Sequence, residues 1–392
     1  MTVLQKMRKI FSSGKARKET DKGFSGSVRK IFHRIFLTVN ILFALPLLIS
    51  YLAVHVNPGD FALPAFFGLA YPYLLLINII IVVLWGVNLR LEALISLAVI
   101  LLGLTHFTNY IQLSKPRSVK EDAFKMMSYN LRLFNYYENN NESGSEKKVL
   151  AMIKAQQPQI LCFQELYIKG NAAERDKEIK KALGGKYYSH TKLIGRGKDK
   201  YYGIATYSKY PIVGRGQIVH PGSSSLSIYT DIVIDSDTFR IFNNHLQSFR
   251  LRSMERSFME ELVDSEDKQT LTEIKTLSHS LKEGFKRRAL QAQVVKDYIN
   301  RSPFPVIVAG DFNDTPVSYA YRKIRKGLND SFVTSGYGAG FTYQGNYPPN
   351  RIDYILYGDN LTSVNFEILK VKYSDHYPVI AWFRKSARKG GS

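Results

Sequence analysis

Polar side chains that suit catalysis follow short apolar, β-rich segments at several points in the second two-thirds of the chain. In order they are Ser128-Tyr129-Asn130, Gln164-Glu165, Asn243-Asn244-His245-Leu246, Gly310-Asp311-Phe312-Asn313 and Ser374-Asp375-His376, with Arg351-Ile352-Asp353-Tyr354 just ahead of the last. Where a strand of an α/β protein ends, the core still fixes the backbone while the side chain reaches solvent. The pattern therefore predicts that residues distant in sequence meet in one site.

These carboxylate, amide and imidazole groups suit the hydrolysis of a phosphate ester. That reaction needs a cation to neutralise charge on the phosphoryl oxygens, a base to activate water, and stabilisation of the leaving oxygen. Hard oxygen donors in proteins favour Mg²⁺ or Mn²⁺. Glu165 is the best candidate ligand, so these residue types fit a metal-dependent phosphoesterase.

The ordered set of motifs resembles the catalytic signature of the endonuclease/exonuclease/phosphatase superfamily, the deoxyribonuclease I-like proteins. Residues 203–208 followed by Tyr210-Pro211-Ile212 are similar to a strand pair of that family, and Arg288 with Gln291 opens its helix before the Gly-Asp-Phe-Asn strand. The resemblance implies a four-layer α/β/β/α sandwich, with two mostly antiparallel or mixed sheets, helices outside, and catalytic loops at one end. It covers residues 123–385.

The resemblance also implies a metal centre and a phosphate subsite. The expected metal ligands are Glu165, Asn130 and Asp375. The expected substrate contacts are Asn313 on the scissile phosphate, His245 on a phosphoryl oxygen, and, as weaker candidates, Arg132 and Tyr207. His245 would also stabilise charge in the transition state.

His376 is the general base that the resemblance implies. Asp353 would orient its imidazole and keep it basic through a hydrogen bond, and Asp311 would lie beside the attacking water. A lone histidine is more often structural, but His245 and His376 each close a segment of the ordered set. Cys162 is the only cysteine, which excludes an intramolecular disulfide and a thiolate metal cluster.

The first third of the chain has a different composition. Residues 35–56, 61–86 and 91–110 are almost free of charge, and each reaches the ~20 residues that a helix needs to cross a bilayer. We therefore predict three transmembrane helices within residues 35–110. A cleaved signal peptide followed by core helices is the alternative, disfavoured because two more apolar stretches follow the first.

The distribution of cations predicts the orientation of these helices. Residues 1–34 contain ten Lys and Arg against two acidic residues, which favours a cytoplasmic tail. Three spans then place the linker 111–122, the catalytic domain and the tail 386–392 on the outer, periplasmic side of a multi-pass membrane protein. Lys115, Arg117 and Lys120 oppose this orientation, and a re-entrant hairpin in place of one span would move the domain to the cytoplasm.

Residues 247–286 form an insertion that the resemblance does not explain. Leu271, Ile274, Leu277 and Leu281 are spaced as on one helix face, so we predict one or two amphipathic helices. The basic residues Arg250, Arg252 and Arg256 could meet phosphate or lipid head groups; a solvated helical flap is the alternative.

Together these features predict a membrane-anchored, divalent-metal-dependent hydrolase of phosphate esters. The whole chain carries a net charge of +21, and its basic character favours a polyanion such as nucleic acid, whose binding would weaken with salt. The membrane segment favours a phospholipid head group as the alternative substrate. A catalytically inactive binding protein is a remote alternative, because every expected catalytic position is filled.

Overall fold

The computed structural model describes residues 30–114, 119, 122–135, 145–195, 197–223, 225–249, 268–345 and 349–386, with 268–273 described in their backbone only. The chain divides into two compact units. The first comprises Met1–Ile49 with Tyr71–Gly103, and the second comprises Ser50–Ala70 with Leu104–Ser392. Residues 1–29 of the predicted basic tail lie outside the described part of the chain. So do residues 115–118, 120 and 121 of the predicted linker and residues 387–392 of the C-terminal tail.

The first unit consists of apolar helices that enclose polar side chains. Its helices are α1 (Lys30–Val54, whose last turn belongs to the second unit), α3 (Tyr71–Val87) and α4 (Ala93–Leu102). Leucines, isoleucines and valines cover its exterior, whereas Asn40, Asn78 and Ser96 are fully buried. Ser96 Oγ lies 2.6 Å from Asn40 Oδ1 and 2.8 Å from Asn78 Oδ1. This is the reverse of the arrangement in a water-soluble core.

The prediction of three full-length transmembrane helices is wrong. Among the described residues, α1 alone has the length and hydropathy to cross a membrane. A second candidate span exists if α2 (Leu63–Leu69) and α3, which meet at a bend of 69°, are counted as one helix. Pro72 belongs to the start of a helix rather than its interior, which explains the break before Tyr71. The third stretch is cut at Gly103, where the 10-residue α4 ends and the single turn α5 (Leu104–Phe107) begins.

The second unit contains two mixed six-stranded sheets. The strands of one sheet, in spatial order, are β10 (Asn329–Asp330), β12 (Asp353–Tyr357), β9 (Val306–Asp311), β8 (Asp237–His245), β7 (Leu226–Ile234) and β6 (Ile212–Ile218). Those of the other are β13 (Leu361–Ile368), β14 (Val379–Lys385), β2 (Phe124–Asn130), β3 (Ile160–Lys169), β5 (Lys200–Ser208) and β4 (Tyr188–Gly195). A separate two-stranded sheet pairs β1 (Ile111–Gln112) with β11 (Gly338–Ala339).

Three apolar clusters separate the layers of this unit. The first fills the space between the sheets, with Met126 and Cys162 of one sheet facing Ile241 and Ile307 of the other. The second packs α6 (Ser145–Gln156) and α7 (Ala172–Ala182) on the outer face of one sheet. The third packs α8 (Lys268–Asn300) and α9 (Tyr319–Arg325) on the outer face of the other, and the short α10 (Ser331–Ser335) follows β10. The predicted α/β fold with helices outside two packed sheets is confirmed.

The predicted insertion becomes part of a longer helix. Residues 268–286 continue without a break into the helix that carries Arg288, so α8 has 33 residues. Residues 268–286 are therefore helical and form one element with the residues around Arg288. Residues 250–267, with Arg250, Arg252 and Arg256, lie outside the described part of the chain.

Candidate active site

Strand direction brings the predicted endings to one edge of the two sheets. The parallel pair β2 and β3 places Asn130 opposite Gln164, and the parallel pair β8 and β9 places His245 opposite Asp311. Strand β12 runs antiparallel to β9, so its first residue, Asp353, also lies opposite Asp311. The sheet register thus sets carboxylate, amide and imidazole groups side by side.

Asn130 links the two sheets at this edge. Its Nδ2 donates to Asp311 Oδ2 at 2.9 Å and lies 3.5 Å from Glu165 Oε1. Its Oδ1 accepts from the backbone N–H of Arg132 at 2.9 Å. Because one amide contacts both carboxylates, Asn130 fixes the separation of Glu165 and Asp311.

Glu165 occupies a bulge in β3. The register of β3 with β5 shifts between Phe163 and Leu166, and Glu165 has a φ of +50°, which is rare for a residue with a side chain. Its Oε1 lies 3.3 Å from Nε2 of His245. Burial raises the pKa of Glu165, but the hydrogen bond and charge of His245 outweigh it and lower the pKa to about 2. The carboxylate is therefore ionised at neutral pH.

Asp311 and Asn313 form a tight turn after β9. Asp311 Oδ1 accepts from the backbone N–H of Asn313 at 2.7 Å, and Asn313 has a φ of +52°. Asn313 Nδ2 donates to Leu246 O at 3.0 Å and lies 3.1 Å from Asp311 Oδ2. Burial raises the pKa of Asp311 to about 6, although the charge of His376 acts in the opposite direction.

His376 and Asp353 form a hydrogen-bonded dyad. The Nδ1 of His376 lies 3.0 and 3.1 Å from the two carboxylate oxygens of Asp353, and its Nε2 lies 3.8 Å from Asp311 Oδ2. Burial lowers the pKa of His376, but the charges of Asp353 and Asp311 outweigh it and raise the pKa well above its ordinary value. Nε2 is thus the nitrogen that faces the site.

Arg132 and Asp375 pair beside the dyad. Arg132 Nε lies 3.2 Å from Asp375 Oδ2, and Asp375 Oδ1 lies 3.9 Å from Nε2 of His376. Arg132 opens a four-residue turn with positive φ throughout, and Asn135 of that turn donates to Tyr373 O at 3.1 Å. The structure therefore brings both predicted residues to the site, but it pairs Asp375 with a guanidinium.

Tyr207 points away from the site. Its side chain is fully buried in the cluster beneath α6 and α7, and burial together with the charge of Asp176 raises its pKa well above the ordinary value. Successive residues of a strand face opposite sides of the sheet, and it is Thr206 that faces Asn243 of the other sheet. The predicted phosphate contact of Tyr207 is therefore not supported by this structure.

Three residues support the site although no role was predicted for them from the sequence. Gln164 Nε2 donates to Asn243 Oδ1 at 2.7 Å in the interior below Glu165. Thr342 Oγ1 accepts from the backbone N–H of Asp353 at 3.1 Å. The ring of Tyr343 meets that of His376 edge to face, with centroids 5.2 Å apart. Gln164 stood within a predicted ending, but no periodic pattern marks residues 342 and 343.

The donor atoms of the site fit a divalent cation. Asp311, Asp353 and His376 each offer a ligand atom, and the three atoms lie within 4.8 Å of one another. Glu165 adds an ionised carboxylate beside the amide of Asn130. Because three carboxylates share two imidazoles here, the site holds surplus negative charge from hard oxygen donors, which is the chemistry that Mg²⁺ and Mn²⁺ prefer.

Comparison with known proteins matches both parts of the chain. The model described as the Endonuclease/Exonuclease/phosphatase family matches residues 127–376, and one described as a domain of unknown function (DUF8431) matches residues 33–110. No curated protein matches the chain in sequence.

Solved structures similar to this chain include three with low sequence identity. An endonuclease/exonuclease/phosphatase family protein from Leptotrichia buccalis is 16% identical with a TM-score of 0.48, and the match covers 66% of this chain and 98% of that one. An endonuclease/exonuclease/phosphatase from Bacteroides vulgatus is 18% identical with a TM-score of 0.48, and the match covers 67% of this chain and 99% of that one. The human Nocturnin catalytic domain is 17% identical with a TM-score of 0.49, and the match covers 69% of this chain and 100% of that one. Because the family model spans more than half of the chain and includes every one of the site residues described above, the protein belongs to the endonuclease/exonuclease/phosphatase family.

Proposed function

We propose that this protein is a divalent-metal-dependent hydrolase of phosphate esters. The observation that carries the proposal is the cluster in which Asn130 contacts Glu165 and Asp311 while Asp353 holds His376. These residues come from both sheets and from widely separated parts of the chain. A cluster of this kind at one edge of a rigid core is typical of an active site, where pKa values are strongly perturbed.

The proposed mechanism assigns the proton transfer to His376. Its Nδ1 is engaged by Asp353, so Nε2 is free to accept a proton from water, and Asp311 lies 3.8 Å from that nitrogen. Asp311 would orient the same water through its carboxylate. The attacking oxygen would then form its bond to phosphorus as the ester oxygen leaves, without a covalent enzyme intermediate.

The remaining residues would bind the phosphoryl group and its counterion. Glu165 and Asn130 are the residues that would hold Mg²⁺ or Mn²⁺, and the bound cation would neutralise charge on the phosphoryl oxygens. Asn313 would donate to the scissile phosphate, and His245, whose pKa is raised by Glu165 despite burial, would donate to a phosphoryl oxygen. Arg132 would contribute a further positive charge at the edge of the site. Asp375, which pairs with Arg132, would act as a more distant metal ligand or orienting group.

Attachment to a membrane is the second part of the proposal. The support is α1, which is 25 residues long, and the exterior of the first unit, which is apolar around buried Asn and Ser side chains. Ser50–Ala70 and Leu104–Ser392 belong to one compact unit, so both would lie on the same side of the membrane. Residues 71–103 would then enter and leave from that side. With the basic N-terminal tail in the cytoplasm, a single crossing by α1 would place the catalytic unit on the outer face.

A substrate panel on the full chain in detergent micelles with Mg²⁺ tests the activity. Its members are plasmid DNA, RNA, sphingomyelin-like and inositol phospholipids, and bis(p-nitrophenyl) phosphate. We expect turnover of at least one, and its loss with EDTA, with Glu165→Gln and with His376→Ala. Equal turnover by the wild type and both variants would overturn the assignment of the site.

A phospholipid head group is the second candidate substrate. The observation that favours it is that the catalytic unit is joined through the chain to the apolar helices at residues 50, 70 and 104, so that a membrane anchor would keep the enzyme on a lipid surface. Faster turnover of vesicle lipids than of DNA would support this substrate class. A steep loss of DNA turnover with added salt would support nucleic acid instead.

A further inference from the structure

Two short segments next to the apolar helices fold with the catalytic unit. They are Ser50–Ala70, which contains the last turn of α1 and the whole of α2, and residues 104–112, after α4. We call these two segments together the collar. The family model matches residues 127–376 and the model of the domain of unknown function matches residues 33–110, so the collar lies outside the family match.

The first segment of the collar packs closely on the loop after β9. Thr315 Oγ1 donates to Gly68 O at 3.3 Å, and Thr315 is two residues beyond Asn313. A Cβ atom built on Gly68 would lie 2.3 Å from Val317 O and 2.6 Å from Ala53 Cβ. Only a glycine permits so close an approach, so α2 supports the loop that carries Asn313.

The same segment reaches the loop after β8 through aromatic side chains. Phe66 meets Phe285 edge to face with ring centroids 5.2 Å apart, and the guanidinium of Arg288 lies 5.3 Å from the centre of the Phe285 ring. Arg288 Nε donates to Asp314 Oδ2 at 3.0 Å and Nη1 donates to Gln247 O at 2.9 Å. The buried Arg288 therefore binds both Asp314, which follows Asn313, and Gln247, which lies two residues after His245. The collar packs against Phe285, the ring beside this arginine.

The second segment of the collar holds the strip of chain beside the dyad. Strand β1 pairs with β11, and Gly340 N donates to Tyr110 O at 2.8 Å. Tyr110 is 2% exposed, and its ring packs near that of Phe341. Next to Phe341 are Thr342, which accepts from Asp353 N, and Tyr343, whose ring meets His376.

This segment also contacts the residue that leads into β12. Asn109 O accepts from Nη1 of Arg351 at 2.8 Å, and Asn109 Oδ1 accepts from Nη1 of Arg325 at 2.7 Å. Arg351 is fully buried and stands two residues before Asp353. The chain that leaves the apolar helices is thus fastened to both sides of the His376–Asp353 dyad.

We propose that the collar is a positioning device for the active site: one segment holds the Asn313 loop, the other holds the dyad, and the membrane-flanking chain thereby completes the catalytic domain. The inference rests on the proposed function, because it assigns the collar to that same site. Gly68 and Tyr110 touch none of the reacting groups. They are positioning residues that act through Thr315 and Phe341.

Gly68→Ala in the full chain tests the first segment, with Gly59→Ala as the matched control. Both glycines lie in Ser50–Ala70 at ordinary φ, but the nearest atom to a Cβ at Gly59 is the side-chain oxygen of Asn57 at 3.3 Å, which has room to move. A displacement of the Asn313 loop by about 1 Å lowers kcat by on the order of 10- to 100-fold. We expect that loss in Gly68→Ala with a nearly unchanged KM, and wild-type kinetics in Gly59→Ala.

Tyr110→Ala tests the second segment, with Tyr110→Phe as the conservative variant that keeps the ring. We expect a fall in kcat of about tenfold or more in Tyr110→Ala and recovery in Tyr110→Phe. A purely structural role predicts instead lower melting temperatures with unchanged kcat well below them, and that result would overturn the proposal.

Hydrogen exchange separates failure of the collar from failure of the proposed function. Faster amide exchange at residues 311–317 in Gly68→Ala, and at 340–345 in Tyr110→Ala, would support the collar even if no substrate of the panel were turned over. Unchanged exchange in both variants at these residues would refute it, whatever the activity of the wild type.

Discussion

Two sets of charged residues in the catalytic unit differ in how their charges are balanced. In the supporting pairs, Arg288 faces Asp314 and Arg351 faces Asp330, and all four side chains are nearly inaccessible to solvent. In the active-site cluster, Glu165, Asp311 and Asp353 share the imidazoles of His245 and His376. An arginine remains charged at every physiological pH, whereas an imidazole does not.

The difference separates charges that maintain the fold from charges that are proposed to perform chemistry. Each supporting carboxylate has its own guanidinium, so these pairs have no need of a further ion. The cluster has more carboxylates than cationic partners and perturbed pKa values, so a divalent cation and proton transfer suit it. Substitutions in the two sets should therefore change different measurable quantities.

The largest expected effect is on activity and comes from Glu165→Gln. The substitution keeps the size of the side chain but removes the ionised carboxylate that would hold the cation, so kcat/KM with Mg²⁺ should fall by on the order of 10³-fold. The melting temperature should stay close to that of the wild type. Glu174→Gln, at the exposed start of α7, is the matched control and should leave kcat/KM unchanged. An active Glu165→Gln protein would remove the distinction between the two sets.

The second effect is on stability and comes from Arg351→Leu. It leaves Asp330 buried without its guanidinium, which costs about 3–5 kcal/mol in the free energy of unfolding. Chemical denaturation of the full chain in detergent measures this loss. Arg322→Leu, at an exposed position on α9, should have little effect, and adding Asp330→Asn to Arg351→Leu should restore part of the stability. No recovery in the double variant would mean that Arg351 acts mainly through its stacking on Phe332 and Tyr354.

The sequence predicts those site residues that stand beside apolar, β-rich segments, and it does not predict contacts between short segments. Asn130, Glu165, His245, Asp311, Asp353 and His376 were predicted to meet because each stands beside such a segment in the sequence. In the structure Glu165 lies inside β3, and His376 lies in the loop before β14. The side of the sheet on which Tyr207 lies was not predicted correctly. Successive strand residues point to opposite faces, so an error of one residue in the alternation places a side chain on the wrong face.

Contacts between short segments were not predictable from the sequence. The strands β1 and β11 have two residues each, too few for any alternation to be visible. Thr342 and Gly68 matter because of the residues that they contact, Asp353 and Val317, and nothing in the sequence near Thr342 or Gly68 indicates those contacts. The three apolar stretches were recognised, but the helix break at Gly103 depends on how the chain folds back, which composition does not reveal.

The third effect, on the pH profile, comes from Asp353→Asn. His376 acts as a base only when it is deprotonated. Burial lowers its pKa, but the charges of Asp353 and Asp311 outweigh burial and raise the pKa above its ordinary value. We therefore expect kcat/KM to rise with pH to a midpoint above 6.5. Asp353→Asn should lower kcat by on the order of 100-fold and move the midpoint to lower pH. Because the folded pKa is raised, this dyad stabilises the fold below pH 6.5, and the contribution is lost as the pH rises through the raised pKa. A midpoint unchanged by Asp353→Asn would mean that another group limits the rate.

The smallest effect extends the comparison to the first unit, where the buried polar side chains of the described residues, Asn40, Asn78 and Ser96, carry no charge. Ser96→Ala removes the hydroxyl between Asn40 Oδ1 and Asn78 Oδ1, while the amide groups keep their bonds to Glu92 O and Phe43 O. A side-chain hydrogen bond between apolar helices is worth about 0.6 kcal/mol on average, so the melting temperature in micelles should fall slightly with kcat unchanged. Thr38→Ala is the control, because its hydroxyl is exposed and bonds within its own helix to Arg34 O. A fall in kcat without a change in melting temperature would show that the uncharged triad belongs, by function, with the active-site cluster rather than with the supporting pairs.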